Sequence, residues 1–256
     1  MRKIYVLNVC LLVSLLFCTV LIAQSPPSLW GLTPSGGDGL GTLFSINTGS
    51  TAISTQYNFQ GYPGSAPQFV KLCQASNGKL YGTTRFGGAN NLGTLFEYNP
   101  ATNSYSVLVD FDGTNKGSDP QSSVIQASNG KLYGLTRLGG LSNVGVMFEY
   151  DLSTSTFSKK YDMIAANGQF PQSSLLEASN GKLYGITRFG GASGAGTLFE
   201  YNLSLSSYSV LTSFSTAIGT NPQTPLIQAS NGKIYGTTLA GGSGSGGVIY
   251  EYDLST

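Results

Sequence analysis

The feature that most constrains this chain is a seven-residue stretch, Ser-Asn-Gly-Lys-Leu-Tyr-Gly, that recurs at a fixed spacing. Copies begin at Ser76, Ser128, Ser179 and Ser230, the last with isoleucine in place of leucine. The glycine after the aromatic residue is also present in an early partial copy, and these glycines are 51 or 52 residues apart: Gly31, Gly82, Gly134, Gly185 and Gly236. A period near 50 built from short β-rich runs is typical of a propeller or a related repeat array.

Each period contains four strand-like runs, which is the number of strands in a propeller blade. In one unit they cover residues 122–127, 131–137, 145–150 and 156–163. We therefore predict an all-β fold, a β-propeller of four-stranded blades, with about five repeat units that start near residues 30, 67, 120, 171 and 222. Asn-Gly between the first two runs predicts a hairpin with a type I′ turn, because both residues tolerate the positive φ that this turn requires.

Three further sets of equivalent positions, which we call columns of the repeat, concern loops and packing. A Gly-Gly pair, first at 87–88, precedes a loop of constant length, which predicts an ordered loop with positive-φ residues. A Pro-Gln pair precedes each later first strand, where proline is tolerated. The fourth run of each unit ends on a large apolar residue that we expect to pack between blades: Phe59, Phe111, Met163 and Phe214.

The repeat resembles a known family. Residues 80–98 read Leu-Tyr-Gly-Thr-Thr-Arg-Phe-Gly-Gly-Ala, three variable residues, then Gly-Thr-Leu-Phe-Glu-Tyr, and this pattern resembles the GloVer-type extracellular tandem repeat of bacteria. The resemblance extends over nearly all of the chain after the leader and implies secretion and a kelch-like or propeller-like array. It implies no agreed activity and no catalytic residues.

The start of the chain predicts export. Residues 1–23 combine a basic start, Met-Arg-Lys, with a long apolar run, which is the pattern of a secretory signal peptide, and residues 24–256 then form the repeat domain. An uncleaved membrane anchor is the alternative interpretation of the same run. We expect a secreted protein or one on the bacterial cell surface.

The two ends of the array are incomplete in the sequence pattern. The first unit begins at its second strand, and the last ends at Thr256, before its fourth strand. Five complete blades would need about 20 strands. The pattern therefore predicts either a fragment of a longer array or a five-unit propeller with reduced terminal blades.

Composition excludes several kinds of chemistry. The sequence has no histidine, so it cannot form a Ser-His-Asp or Cys-His catalytic system or a His-ligated metal site. Without Arg2 and Lys3 of the leader, the 13 basic residues fall to 11 against 12 acidic ones, which gives no long-range attraction for nucleic acid. Cys73 is the single cysteine after the leader and cannot form an internal disulfide.

Arginines that follow the second strand are the candidate binding residues, namely Arg85, Arg137 and Arg188. Their guanidinium groups could bind carboxylates or acidic sugars, or they could form salt bridges and loop hydrogen bonds between blades. Leu239 and, in the first copy, Pro34 interrupt the column, and we favour the second interpretation.

Carboxylates give weaker candidates. Glu97, Glu149, Glu200 and Glu251 occupy one column of the repeat. A pair of carboxylates could serve glycoside hydrolysis, but a residue present in every unit is better explained by a structural role. Asp110, Asp112 and Asp119 suggest a calcium loop, although an Asp-rich solvated turn explains them better. We therefore predict no catalytic residues, no metal and no cofactor.

These observations favour a binding or adhesion role for a glycan or protein at the cell surface, with no nucleic-acid partner and no membrane span after the leader is removed. An extracellular carbohydrate-active enzyme, hydrolase or lyase, and a structural spacer in a larger surface protein are the alternatives.

Overall fold

The computed structural model describes residues 28–255, which form five antiparallel sheets, here called blades 1 to 5. Blade 1 contains β1 (Ser28–Thr33), β2 (Thr42–Asn47) and β3 (Ser54–Asn58). Blade 2 contains β4 (Cys73–Gln74), β5 (Leu80–Thr84), β6 (Thr94–Asn99) and β7 (Ser104–Asp110). Blade 3 contains β8 (Ile125–Gln126), β9 (Leu132–Thr136), β10 (Val146–Asp151) and β11 (Thr156–Asp162).

Blade 4 contains β12 (Leu176–Glu177), β13 (Lys182–Thr187), β14 (Thr197–Asn202) and β15 (Ser207–Ser213). Blade 5 contains β16 (Thr220–Pro222), β17 (Ile227–Gln228), β18 (Ile234–Ala240) and β19 (Ile249–Tyr252). No residue between 28 and 255 is helical. The predicted all-β fold with four-stranded antiparallel blades is confirmed, in the form of a β-propeller-like array.

The first strand of each unit is shorter than predicted. In blade 3 the run 122–127 contributes only Ile125–Gln126 to the sheet. The serines before it bond elsewhere: the Ser122 hydroxyl donates to the Leu135 carbonyl at 2.8 Å, and the Ser123 hydroxyl accepts from the Lys71 amide of blade 2 at 2.6 Å. These polar contacts replace ladder pairing, which explains why a strand ends where the pattern would extend it.

Blade 5 is arranged differently from the others. Its first strand, β16, is the segment that crosses over from blade 4, and it pairs with the far end of β18. In blades 2 to 4 the equivalent segments make single bridges, such as Ser118 with Leu138. Within the described residues, blade 5 has no counterpart of β7, β11 and β15.

The predicted turn type is wrong. The glycine of each Asn-Gly pair has a positive φ, 78° at Gly78, but Asn77 and its counterparts do not have one. The loop has three residues: the Ala75 amide donates to the Lys79 carbonyl at 3.0 Å, and the Gly78 amide donates to the Ala75 carbonyl at 2.9 Å. This is the three-residue hairpin, a turn followed by a left-handed glycine, rather than the two-residue type I′ loop.

The Gly-Gly loops match the prediction, since both glycines have positive φ in every copy, 83° and 76° at Gly87 and Gly88. The Gly87 amide donates to the Asn91 side chain at 2.9 Å, and the Gly93 amide donates to the Gly87 carbonyl at 3.1 Å. Because these bonds span the loop from end to end, its constant length reflects a fixed structure.

Four hydrophobic clusters lie between successive blades. Leu95 and Val109 of blade 2, for example, pack with Phe148 and Tyr150 of blade 3. The residues that end the fourth runs are buried in these clusters, as predicted: Phe59, Phe111, Met163 and Phe214. Face-to-face packing of neighbouring sheets therefore forms the core, which is why strand three is apolar on both faces.

The predicted signal peptide, residues 1–23, lies outside the described residues. Between residues 28 and 255, the structure contains no helix that is long and apolar enough to span a membrane.

Candidate functional site

The glutamates of the repeat column are occupied within their own blades. Glu97 accepts a hydrogen bond from the Lys79 ammonium at 2.7 Å and another from the Tyr81 hydroxyl at 2.8 Å. Asn77 donates its side-chain amide to the same hydroxyl at 2.8 Å. The other units repeat this network, with Lys-to-Glu distances of 2.9 Å at Glu149, 2.9 Å at Glu200 and 2.6 Å at Glu251. The column thus joins the hairpin to the third strand.

Glu149 is the most buried member of the column. Burial alone would raise the pKa of its carboxyl, but hydrogen bonds from Tyr133 and Lys131 and the charge of Lys160 outweigh burial and lower this pKa below its ordinary value. Hydrogen bonds to Glu149 and Asp151 raise the pKa of the Lys131 ammonium. A carboxylate held ionised by two donors is poorly suited to act as a general acid.

The serine of the repeated stretch connects neighbouring blades. The Ser76 amide of blade 2 donates to the Gln126 side chain of blade 3 at 2.7 Å, and the Gln126 amide donates to the Ser76 hydroxyl at 3.2 Å. Ser128 makes the same kind of contact with Glu177, and Ser179 with Gln228. The serine of the stretch therefore has a structural role in blades 2 to 4.

The candidate site lies at the inner edge, which we define as the side where the Pro-Gln segments and the short first strands of blades 2 to 5 lie. Side chains of successive units meet there. Gln172 donates to Gln121 at 2.8 Å, and the Ser123 amide donates to the Ser174 hydroxyl at 3.1 Å. Contacts between residues about 51 positions apart show that equivalent parts of the units converge on one region.

The residue before each proline is held in a left-handed conformation. Asp119 has a φ of 52°, and Ala66, Phe170 and Asn221 have similar values. Two backbone bonds fix Asp119: its amide donates to the Leu92 carbonyl at 3.0 Å, and its carbonyl accepts from the Arg137 amide at 3.1 Å. This turn places the side chain before each proline beside the arginine column.

Two of the three candidate arginines share a single buried carboxylate. The Arg85 Nε lies 2.8 Å from one oxygen of Asp119, and the Arg137 Nη1 lies 3.0 Å from the other. Gln121 donates to both oxygens at 3.0 Å. Asp119 thus neutralises part of the charge of both arginines and bonds blade 2 to blade 3.

Arg188 has no such partner. The positions equivalent to Asp119 on either side of it are Phe170 and Asn221, and no described carboxylate lies within ion-pair distance of it. Its Nη1 donates to Gln172 at the long distance of 3.4 Å, and its buried Nε has no hydrogen-bond partner among the described residues. The guanidinium carbon lies 5.0 Å from the centre of the Phe189 ring. The buried Nε of Arg137 is also unpartnered, so what distinguishes Arg188 is that it has no carboxylate partner among the described residues.

A cavity of about 360 Å³ opens beside Arg188. Four consecutive blades contribute to its wall, including Phe69, Gln121, Gln172, Ser173, Arg188 and Gln223. The Ser173 hydroxyl is buried and unpartnered among the described residues, whereas its counterpart Ser122 is bonded to a backbone carbonyl. With Ser174, the wall thus combines one cation, three side-chain amides, two hydroxyls and an aromatic ring.

Phe69 departs from the repeat in both position and conformation. The segment from Pro67 to Cys73 is one residue longer than its counterparts in later units, and Phe69 is the extra residue, because Lys71 bonds Ser123 as Ser123 bonds Ser174. Phe69 is 69% exposed and has a φ of 64°, which is unfavourable for a bulky side chain. Strained residues of this kind concentrate at binding sites, where the surroundings must hold them.

The aspartates of the suggested calcium loop are not brought together. Asp110 accepts from the Ala89 amide at 2.8 Å, Asp112 accepts from the Lys116 amide at 2.7 Å, and Asp119 belongs to the inner edge. Lys159 pairs with Asp162 at 2.8 Å, another local contact among residues that differ between units. Across the described part of the chain, no cluster of three metal-ligating side chains is present.

Cys73 is half-buried and packs against the cluster between blades 2 and 3. Burial raises the pKa of its thiol, against a smaller lowering by a backbone hydrogen bond at Gln126. A thiol of this kind has little thiolate at neutral pH.

Sequence reasoning identified the arginine column but not the inner cavity. The glutamines of the Pro-Gln pairs were available as a signal, because an amide side chain repeated after a fixed proline is a polar column. The sequence does not show that these glutamines come together from different blades, because that depends on how the sheets are arranged.

Comparison with known proteins agrees with this architecture. The model of the Gloeobacter/Verrucomicrobia repeat family matches residues 19–250. No curated protein matches significantly.

Solved structures that are similar to this chain share its fold at low sequence identity. An extracellular domain, that of BT4673 from B. thetaiotaomicron, has a TM-score of 0.61 at 14% identity over 89% of this chain. TolB from Acinetobacter baumannii has a TM-score of 0.56 at 16% identity over 90% of this chain, and a chain of the nidogen/laminin complex has 0.54 at 12% over 84%. The chain spans 26%, 50% and 68% of the lengths of these three proteins, respectively.

Proposed function

Because this chain belongs to the Gloeobacter/Verrucomicrobia repeat family, we propose that it is a secreted or cell-surface repeat protein that acts by binding, with the inner cavity as its recognition site. The predicted leader and the extracellular domain among the structural neighbours support this location. Binding rather than catalysis is favoured because the repeated glutamates are already paired with lysine and tyrosine.

The observation that carries the proposal is the cavity at the inner edge. The units differ there, and two of the unpartnered buried polar groups of the described residues, at Arg188 and Ser173, belong to its wall. A concave site with a few unsatisfied polar groups and an aromatic wall is the usual form of a small-ligand site. Its volume of about 360 Å³ suits a small ligand or the end of a polymer rather than a folded partner.

Arrays of immobilised glycans and peptides, probed with the purified full chain, test this function. We expect selective binding that is lost in Phe69→Ala, because the ring is exposed and lines the cavity. Leu205→Ala is the matched control, since Leu205 is also a large exposed apolar residue but does not line the cavity.

The control variant should bind like the wild type, and both variants should keep the wild-type melting temperature. Absence of binding to either array by the folded chain would contradict a binding function. Binding that survives Phe69→Ala would place the recognition site elsewhere.

A further inference from the structure

Arg188 can be compared with the equivalent arginines of two other units, Arg85 and Arg137. Arg85 and Arg137 converge on Asp119, so that two guanidinium groups already bind a carboxylate. At Arg188 the same position is filled by Phe170 on one side and Asn221 on the other. A carboxylate that the repeat supplies in one place is therefore missing in the equivalent place, and the cavity lies there.

The cavity carries a positive charge. Arg188 is the one charged side chain among its described lining residues, and no described acid neutralises it. Its buried Nε is unpartnered, and leaving a buried donor of a charged group unsatisfied is costly. A carboxylate in the cavity would supply the missing counter-charge through charge-assisted hydrogen bonds, for which the planar guanidinium is well suited.

The remaining wall identifies the rest of the ligand. Gln121 and Gln172 are already bonded to Asp119, Arg188 and each other, so the Gln223 amide and the Ser173 hydroxyl are the polar groups of the wall that a ligand can engage. Such groups match the hydroxyls of a sugar, whereas a peptide would require an ordered row of backbone partners. Phe69 offers an exposed aromatic surface on which the apolar face of a pyranose ring can pack.

We propose that the inner cavity binds an acidic sugar, a uronic acid residue of a polysaccharide, with its carboxylate on Arg188 and its ring against Phe69. This inference rests on the proposed binding function and specifies its ligand class. A peptide carboxylate is the competing source of the same anion, and the experiment below distinguishes the two.

Isothermal titration of the full chain with oligogalacturonate, and with a neutral galacto-oligosaccharide of the same length, tests the proposal. The neutral sugar has the same kind of ring but lacks the carboxylate, so we expect it to bind at least about 10-fold more weakly. Binding of oligogalacturonate should weaken as salt is added, because part of its free energy is electrostatic.

Arg188→Leu and Arg188→Lys assign the contact. Leucine is the residue that the repeat itself places at position 239, so it is compatible with the turn. We expect Arg188→Leu to reduce affinity for oligogalacturonate by about 10- to 100-fold, the effect of losing a hydrogen bond between charged groups. Arg188→Lys should retain part of the affinity, because it keeps the charge but loses the planar fork.

Each outcome of these titrations either supports or contradicts the proposed acidic-sugar site. Equal affinity for the acidic and neutral sugars, or unchanged affinity in folded Arg188→Leu, would overturn the proposal while leaving a sugar-binding function intact. Tight binding of an acidic peptide with none of oligogalacturonate would overturn it in favour of a protein partner.

If Arg188→Leu does not fold, the ratio of acidic-sugar to neutral-sugar affinity and its salt dependence, both measured on the wild type, test the proposal without the variant. Binding of nothing on the arrays would instead contradict the proposed function itself.

Discussion

At the scale of single residues, the repeated stretch is a set of distinct structural contacts. In blade 2, Ser76 bonds the next blade, Asn77 and Gly78 form the turn, and Tyr81 bonds the glutamate column. These contacts recur in blades 2 to 4, which indicates a structural role for the stretch. Function is therefore expected at residues that depart from the repeat, such as Phe69.

Removing one carboxylate from the column should lower stability according to its burial. Glu149→Gln keeps the shape of the side chain but loses the charge that Lys131 and Lys160 face at 2.9 and 3.5 Å. We expect a loss of about 1.5–3 kcal/mol in the free energy of unfolding, measured by urea denaturation. Glu251→Gln, at the exposed end of the same column, is the control and should lose less. Equal losses would show that burial does not set the strength of these pairs.

Stability should fall in acid for the same reason. The pKa values of Glu149 and Glu251 are lowered in the folded protein, so their contribution is present above the ordinary value of 4.5 and disappears as the pH falls through the folded values. Urea denaturation from neutral pH to below 4.5 should show this decrease. Glu149→Gln should have a shallower decrease than the wild type. Parallel curves would mean that this carboxyl is not linked to folding.

At the scale of the elements, glycine and phenylalanine are paired across strands two and three. Gly134 is in register with Phe148, and Gly82 with Phe96, and in each pair the aromatic ring covers the glycine. A methyl group at Gly82 would lie 2.6 Å from the Phe96 ring. This pairing explains why glycine recurs inside a strand, where it would otherwise be unfavourable.

Gly134→Ala should therefore destabilise the protein, because the added methyl group would overlap Phe148 and Val124 in the core. We expect a loss of about 1–3 kcal/mol, as for overpacked cores, measured by denaturant unfolding. Gly244→Ala is the control, since its φ is not positive and no atom lies within 4 Å of the added carbon. If both variants were equally stable, the glycine would have a role other than making room for the ring.

The sequence predicted most of the elements but not their exact edges. Strand number, the Gly-Gly loops and the buried residue at the end of strand four follow from local patterns with clear physical causes. The turn type could not be predicted from Asn-Gly alone, because Ser76 joins the loop through a bond to Gln126 of another blade. A register shift in the third run of the units in blades 1 to 4, between Leu95 and Phe96 for example, also has no local signature.

At the scale of the whole molecule, the blades stack in chain order, and each buries the face of the one before. Leu95, Met147 and Leu198 are equivalent residues on that face and are buried by the following blade. Ile249 is their counterpart in blade 5 and is 79% exposed. The arrangement of blades, not the residue type, thus determines which member of an apolar column contributes to the core.

Truncating equivalent residues in two blades tests this arrangement. Leu198→Ala should cost about 2–5 kcal/mol in the free energy of unfolding, because it leaves a cavity between blades 4 and 5. Ile249→Ala should change it by less than about 0.5 kcal/mol, as is usual at exposed sites. A large loss in Ile249→Ala would show that another surface covers blade 5 in solution.

The candidate site is visible only at this largest scale. Arg188 and the glutamine column can be read from the sequence, but the absence of a carboxylate opposite Arg188 matters because four blades enclose the space beside it. Asp119, which neutralises Arg85 and Arg137, looked in the sequence like part of an acidic loop. Its position beside the arginines depends on the left-handed turn before Pro120 and on the packing of blade 2 against blade 3.

We propose that repeated residues hold the fold, whereas residues that depart from the repeat carry recognition. The decisive experiment measures both urea unfolding and array binding for Phe69→Ala and Glu149→Gln. We predict that Phe69→Ala abolishes binding with little change in stability, and that Glu149→Gln lowers stability while the folded protein binds as before. Folded Glu149→Gln that no longer binds, together with Phe69→Ala that binds normally, would contradict the claim.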